Sequence, residues 1–360
     1  MTDQRQSGGE GRLSALGARR SATAPPAAES REPTAGSRPS RAPALREKAA
    51  SLLQRQGAVV ALVAVCVFGT MRYAPFATPE NLLNVLRQNS MLGMVALGMT
   101  LVILTGGIDL SVGAVLAVAG IAAAMLSGQG TVVAVAGGLA VGALLGLVNG
   151  LLITKARIQP FIVTLATMIA ARGVALGVTG ENSVRVDRLA SGFIWLGRGD
   201  VLGVPVPVVL FALVYGVGWV ALRYTRFGRY VFAAGDSEDA ARLLGLNVDR
   251  VLLGTYALSG LLAALAGIVL AARLGAGQPV AGTGWELDAI AAVVVGGTLL
   301  SGGQGGVGAT LVGVLLLGVI FNLFNLEGTI TPWWQGVLRG VFLLGVVVIQ
   351  SRLQRRASHG

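Results

Sequence analysis

RYTRFGRYVFAAGDSEDAARLLGLNVDR, residues 223–250, is the longest charged interruption in a chain whose other segments are apolar. It carries Arg223, Arg226, Arg229, Arg242 and Arg250, with Asp236, Glu238, Asp239 and Asp249 among them. Its middle predicts a short helix. Asp236 can accept from the orphan amides of the first turn, Glu238 and Asp239 sit at the positive end of the dipole, and Gly245 supplies a stop. Ala240, Ala241, Leu243 and Leu244 give that helix an apolar side which no membrane crossing explains. Such a helix reads as one that docks in a groove of another protein on the cytoplasmic side. The competing reading is a solvated loop with an ordinary surface helix.

Around this stretch the composition is that of a polytopic membrane protein. Hydrophobic residues make up 54% and charged residues 12% of the chain, with mean hydropathy +0.72; a soluble domain of this size carries far more charge. Crossing the hydrocarbon takes about 20 residues of helix. The apolar runs lie near 58–74, 83–104, 111–126, 131–153, 158–178, 202–222, 251–272, 287–300, 307–325 and 332–350. The expected fold is therefore all-α, a polytopic bundle of about ten transmembrane helices. The third and eighth runs are short enough to be tilted, broken or extended into their flanks.

The net charge of +11 has a placement that argues against nucleic acid. Ten of the 28 Lys and Arg residues precede Ala58, five lie in 223–250, and Arg352, Arg355 and Arg356 close the chain. This is the positive-inside bias of a multi-pass protein of the cytoplasmic (inner) membrane with both termini in the cytoplasm. Arg185, Arg188 and Arg198, in a loop expected outside, are an imperfection in it. Residues 1–55 are rich in Ala, Ser, Pro, Gly and Arg and read as a disordered basic tail. A permease-like membrane domain over 56–351 and a short tail over 352–360 follow. Cys66 alone gives no disulfide framework.

Within the apolar runs, small residues recur one turn apart at Gly142, Gly146 and Gly150, at Gly173 and Gly177, and at Gly336 and Gly340. Such faces let helices approach closely in lipid. Asn149 beside the first set should make an interhelical or backbone hydrogen bond, because a buried unpaired amide is costly. Thr105-Gly-Gly-Ile-Asp-Leu-Ser-Val-Gly113 interrupts two very apolar runs. Gly106 and Gly107 permit a break, and Asp109 or Ser111 can cap the helix that resumes before Gly113. An acid at that depth is paired, capped or facing a polar path. A structural break, a lining of the solute route and a proton relay all remain open. Glu286 and Asp288, after interfacial Trp285, are expected at an outer mouth, with a contact to the transported solute as the alternative.

Catalytic machinery is not legible. GQGGVG (Gly303 to Gly308) has the spacing of a dinucleotide fingerprint but is flanked by apolar runs instead of a βαβ unit, so it reads as a Gly-rich cytoplasmic turn. The two lysines, Lys48 and Lys155, build no phosphate-binding loop, and the single His359 builds no His-based metal site or triad. The chain reads as a transporter, not an enzyme, with no cofactor or metal of its own.

NSMLGMVALGMTLVILTGGIDLSVGAVLAVAGIAAA (Asn89 to Ala124) resembles the permease subunits of bacterial ABC importers for ribose, xylose, arabinose and related simple sugars. The blocks Thr225–Leu274 and Gly284–Ile320 resemble them in the same order, and Asn325–Trp334, NLEGTITPWW, is similar to galactofuranose-type members. The resemblance implies a homodimer of ten-helix subunits. It also implies a cytoplasmic tandem-domain ATPase that holds ATP and Mg, and a periplasmic or surface-tethered sugar-binding protein. By position, Asp236–Gly245 would be the coupling region entering the ATPase, and Gly106–Gly113 the family signature. The long basic tail departs from the family pattern. Two alternatives remain: an ion-coupled secondary sugar carrier using Asp109 or Glu286, and the same architecture for an amino acid, nucleoside or other small polar solute.

Overall fold

The computed structural model describes residues 41–328 and, after them, 331, 334, 336–338, 340, 341, 344 and 345. It divides the chain into residues 1–46 and a helical body from Glu47 onward, and all packing given below lies within that body. The expected 1–55 tail and the last run, 332–350, fall mostly outside the described residues.

In chain order the helices are α1 (Arg41–Arg72), α2 (Pro79–Leu104), α3 (Val112–Leu126), α4 (Thr131–Thr154), α5 (Pro160–Thr179), α6 (Ser191–Arg198) and α7 (Val206–Tyr224). Then come α8 (Arg226–Asp236), α9 (Glu238–Leu243), α10 (Val248–Leu274), α11 (Trp285–Val295) and α12 (Val307–Glu327). Four two-residue strands pair antiparallel in loops: Val184–Arg185 with Ala276–Gly277, and Asp200–Val201 with Val204–Pro205. Among the described residues seven helices are long and apolar enough to cross a membrane: α2, α3 with its 3-10 extension to Gln129, α4, α5, α7, α10 and α12. Their bounds fall within four residues of the expected runs. The bundle architecture holds.

Two expected crossings come out short: the first run, 58–74, is the apolar part Gly57–Arg72 of α1, below the length of the seven, and 287–300 is shorter still. The run 287–300 yields only the eleven residues of α11, about 16 Å of helix at 1.5 Å per residue, half a bilayer core. Gly296 and Gly297 end it, the latter at φ +106°.

α2 stands at the centre. From Ser90 to Leu104 every residue is buried, as expected of a helix that is apolar on all sides. Thr78 starts it by accepting from the Asn81 amide at 3.3 Å, with Pro79 in the first turn. Around it pack α7, α10, α11 and α12, and α3 and α4 close against α10. By contrast, α4 and α5 keep most of their apolar surface outward, as lipid-facing helices do.

The α4–α10 seam explains the glycine triple. A Cβ on Gly142 would stand 2.5 Å from the Gly260 carbonyl oxygen, and one on Gly146 would stand 2.3 Å from that of Tyr256. The two backbones therefore touch where a side chain would part them. The other pairs behave differently: Gly173, Gly177, Gly336 and Gly340 have nothing within 4 Å of a Cβ. Their spacing serves no helix contact within the described body.

Candidate functional site

Two regions carry the polar groups that the apolar bundle does not require: the break between α2 and α3, and the α8–α9 segment.

After Leu104 the chain turns through Gly106, at φ +79°, and climbs back inside the bundle. Gly107 is a glycine for want of room, since a Cβ there would lie 2.4 Å from the Tyr256 hydroxyl. Asp109, 1% exposed, accepts on Oδ1 from the Ser111 amide (3.0 Å) and hydroxyl (2.6 Å), and on Oδ2 from the Ser259 hydroxyl (2.8 Å). Asn149 donates to Ser111 Oγ at 2.9 Å and accepts from Thr167 Oγ1 at 2.6 Å. One continuous set of hydrogen bonds thus joins the break to α4, α5 and α10. The interhelical bond expected of Asn149 is present.

The expected capping of α3 takes another form. Ser111 occupies the N-cap but makes no side-chain cap bond, because its hydroxyl is turned to Asp109. Asp109 in turn reaches only the amide of Ser111, two residues on, and none of those inside the helix. Since Ser259 lies over Gly98 of α2, α3 begins well inside the bundle, roughly 9 Å above the end of α2 by helical rise.

A second break mirrors this one. Residues 275–284 run back along α3, with Gly277 against Ile121 and Gly282 against Gly113, where a Cβ would meet the Gly282 oxygen at 2.3 Å. Arg172 of α5 holds this segment by donating from Nη1 to the carbonyls of Pro279 (2.5 Å) and Ala281 (2.9 Å). Hence Glu286 and Asp288 do not stand at an open mouth. Glu286 folds back to accept from the Gly284 amide at 3.2 Å, and Asp288 is 3% exposed. The expected placement assumed that α11 spans the membrane, whereas it starts inside.

In the α8–α9 segment the expected helix is real but shorter and differently capped. Asp236 is the last residue of α8, and Ser237 is the N-cap of α9, accepting from the Ala240 amide at 3.2 Å. Asp236 cannot serve that cap because α8, a helix not anticipated, already contains it. Thr225 before Arg226, accepting from the Gly228 amide, and the three-residue spacing of buried Gly228, Val231 and Ala234 were its legible signals. Gly245 stops α9 as expected: at φ +80° it donates to Arg242 O, while Leu246 donates to Ala241 O. That pair of bonds is the Schellman closure.

The apolar side of α9 is divided. Ala241, 2% exposed, packs into the core, whereas Leu243 at 89% and Leu244 at 80% point outward beside exposed Ala240. Arg242 fixes the orientation through Glu238 Oε1 (2.7 Å) and Asp249 Oδ1 (2.6 Å). Those bonds push its guanidinium further up, so the charge persists at any working pH. Below the segment the backbone is tightly wedged. The Gly303 amide donates to Leu104 O at 3.0 Å, and a Cβ on Gly235 would stand 2.6 Å from the Gly303 amide nitrogen. The end of α8, the end of α2 and the 301–306 turn therefore meet through glycines. The first four residues of GQGGVG accordingly lie in the turn between α11 and α12, with Gly303, Gly305 and Gly306 at positive φ, and Val307 and Gly308 open α12. Among the described residues no group of three His, Cys, Asp or Glu stands where a metal ion would be held.

Residues 81–347 match the family model described as branched-chain amino acid transport system / permease component. The chain belongs to this permease family. Its relatives include the ribose import permease protein RbsC of Escherichia coli, 44% identical over 84% of this chain and 95% of the relative. RbsC of Bacillus subtilis is 45% identical over 84% and 94%. The xylose transport system permease protein XylH of Escherichia coli is 33% identical over 83% and 92%. No solved structure matches. The half-crossing of α11, the buried break and the exposed α9 are thus features of a membrane transport component, not of a catalytic centre.

Proposed function

We propose that the chain is the permease subunit of an ATP-driven importer in the cytoplasmic membrane, passing a monosaccharide delivered by an extracytoplasmic binding protein. The observation that carries the reading is α9: two adjacent leucines held almost fully exposed on a helix fixed by a Schellman stop and an arginine clasp. Apolar surface kept in that state suits a groove on a partner. The partner would be a tandem-domain ATPase holding ATP and Mg, with a second copy of this chain completing the transmembrane unit. Identity to ribose, xylose and allose permeases over more than four fifths of the chain supports the sugar as solute.

The mechanism follows from the wedge beneath α9. Closure of the ATPase halves would move α9 and α8, and at Gly235 α8 abuts α2 and the 301–306 turn backbone against backbone. Contacts without side chains have no slack, so the ends of α2 and α12 would move together with it. Specificity would rest mainly with the binding protein. An ion-coupled carrier would use Asp109 or Glu286 as its ion site, yet both oxygens of Asp109 are engaged by serines and Glu286 accepts from the Gly284 amide of its own turn.

ATPase activity in nanodiscs tests this reading. The chain is co-purified with its genomically adjacent ATPase, and candidate binding proteins are added with and without sugar. Stimulation by a liganded binding protein is expected. Uptake that follows an ion gradient with no ATPase bound would overturn it.

A further inference from the structure

Because α11 begins inside the bundle, its first turn faces α2 and α12 across a cavity of ≈ 160 Å³. Gln88 and Asn89 from α2, Trp285 and Asp288 from α11, and Phe321 and Asn322 from α12 line it. Asn89 lies 15 residues above Leu104, roughly 22 Å by helical rise, so the cavity is in the half of the bundle away from α8 and α9.

The lining is pre-arranged. Asn322 and Asn81 exchange amide hydrogen bonds (3.0 and 2.8 Å), which fixes the Asn322 carboxamide and leaves a second Nδ2 proton for another acceptor. Asn89 donates to Val85 O at 2.7 Å. Its carboxamide sits where it does because residue 318 is glycine, since a Cβ there would stand 2.3 Å from Asn89 Nδ2. The chemistry of the walls is selective. Three carboxamides supply paired donors and acceptors, one carboxyl accepts from adjacent hydroxyls, and two aromatic faces cover apolar C–H. Among the described residues no Lys or Arg lines the cavity, so none of them would neutralise an amino acid's carboxylate or a phosphate. A purely apolar solute would leave the amides unpaired, at a cost. In this measure a water needs about 10–15 Å³, so the space admits on the order of ten heavy atoms, the size of one sugar ring.

We infer that the cavity between α2, α11 and α12 is a binding site for a single neutral monosaccharide, occupied in transit. Asp288 and Asn322 anchor ring hydroxyls, and Trp285 and Phe321 cover the ring face. The inference rests on the permease reading above and adds a solute site within one protomer.

Two readouts on the full chain keep the two readings apart. The first is saturation-transfer NMR of the permease in nanodiscs with D-ribose, D-xylose or L-leucine. The second is sugar moved per ATP hydrolysed by the reconstituted complex. A saturable signal is expected for a sugar and none for leucine. Asp288→Asn and Trp285→Leu should each weaken it about ten-fold, as expected for loss of one charge-assisted bond or one ring face, and lower sugar moved per ATP about ten-fold. Gly318→Ala, which pushes Asn89 into the space without touching another lining group, should do the same. Absence of any sugar signal in the unaltered protein overturns the site, as does full binding and transport in all three variants. Sugar binding that the variants lose, in a protein that couples to no ATPase, supports the site and rejects the importer reading instead.

Discussion

Asp109 and the Leu243–Leu244 pair occupy opposite environments from those their side chains prefer. The acid sits 1% exposed within an apolar bundle, and the leucines sit 80–89% exposed on its most charged segment. Their surroundings differ in one respect. Every oxygen of Asp109 has a donor within 3.0 Å, so its needs are met within this chain. Nothing in the described body covers the leucines. A buried polar group whose bonds are complete is explained by the fold, whereas an exposed apolar pair on a rigid mount asks for a partner. Burial by itself does not mark function here. What distinguishes the regions is whether each group's physical requirement is met internally.

The largest effect should come from the open side. With Leu243→Asp and Leu244→Asp combined, sugar-stimulated ATP hydrolysis of the reconstituted complex should fall at least about a hundred-fold. Each leucine buried in a groove is worth about 1.5–3 kcal/mol, and ~1.4 kcal/mol is a factor of ten. The bundle itself should stay folded, because exposed positions change stability by only about ±0.5 kcal/mol. Thermal unfolding in detergent checks that half. Retained stimulation would place docking elsewhere.

A glycine comparison sharpens the same point. Gly146→Leu would drive a side chain against the Tyr256 carbonyl and should destabilise the α4–α10 seam by ~1–3 kcal/mol or more. Gly173→Leu, with nothing within 4 Å, should leave the unfolding temperature of the isolated subunit unchanged. Equal losses from both would mean that α5 packs against another element.

Asp109→Asn should be milder still, costing about 1 kcal/mol. The amide oxygen keeps Ser111, and Nδ2 can donate to a rotated Ser259 hydroxyl. Uptake should stay within about three-fold of the parent. Normal assembly with lost uptake would move Asp109 from the frame of the bundle into the solute route.

Much of this was legible in the residues themselves. The seven long spans, the Gly142–Gly150 seam, the Asn149 hydrogen bond and the Gly245 stop follow from local rules about apolar length, small side chains and caps. What escaped depends on depth. Whether 287–300 crosses the membrane is decided by where α11 begins, and that is set by Arg172, 107 residues before Pro279 in the chain, pulling residues 279–281 inward. Asp288 therefore read as an acid of the outer mouth. Likewise Ala241 and Leu243 are equally apolar in a helical pattern. Only the tertiary contact of α9 with the core turns one in and leaves the other out.

The smallest effect is expected from removing residues 1–50. The comparison above predicts function where a group's needs are unmet, and this tail contains few large apolar side chains that would require a partner. What it does contribute is charge. Deletion removes nine of the ten basic residues before Ala58 and leaves Arg55, so the positive-inside bias of the first apolar helix is the quantity at risk. Lys155, Arg157 and the five arginines of 223–250 remain on the same expected side, and they should hold the orientation. Uptake within two-fold of the full chain, with labelling of a cysteine introduced by Gln56→Cys unchanged from either side of the membrane, is the expected result. A reversed or mixed labelling pattern would show that the tail sets topology, and a strong uptake defect with normal labelling would show that it binds something.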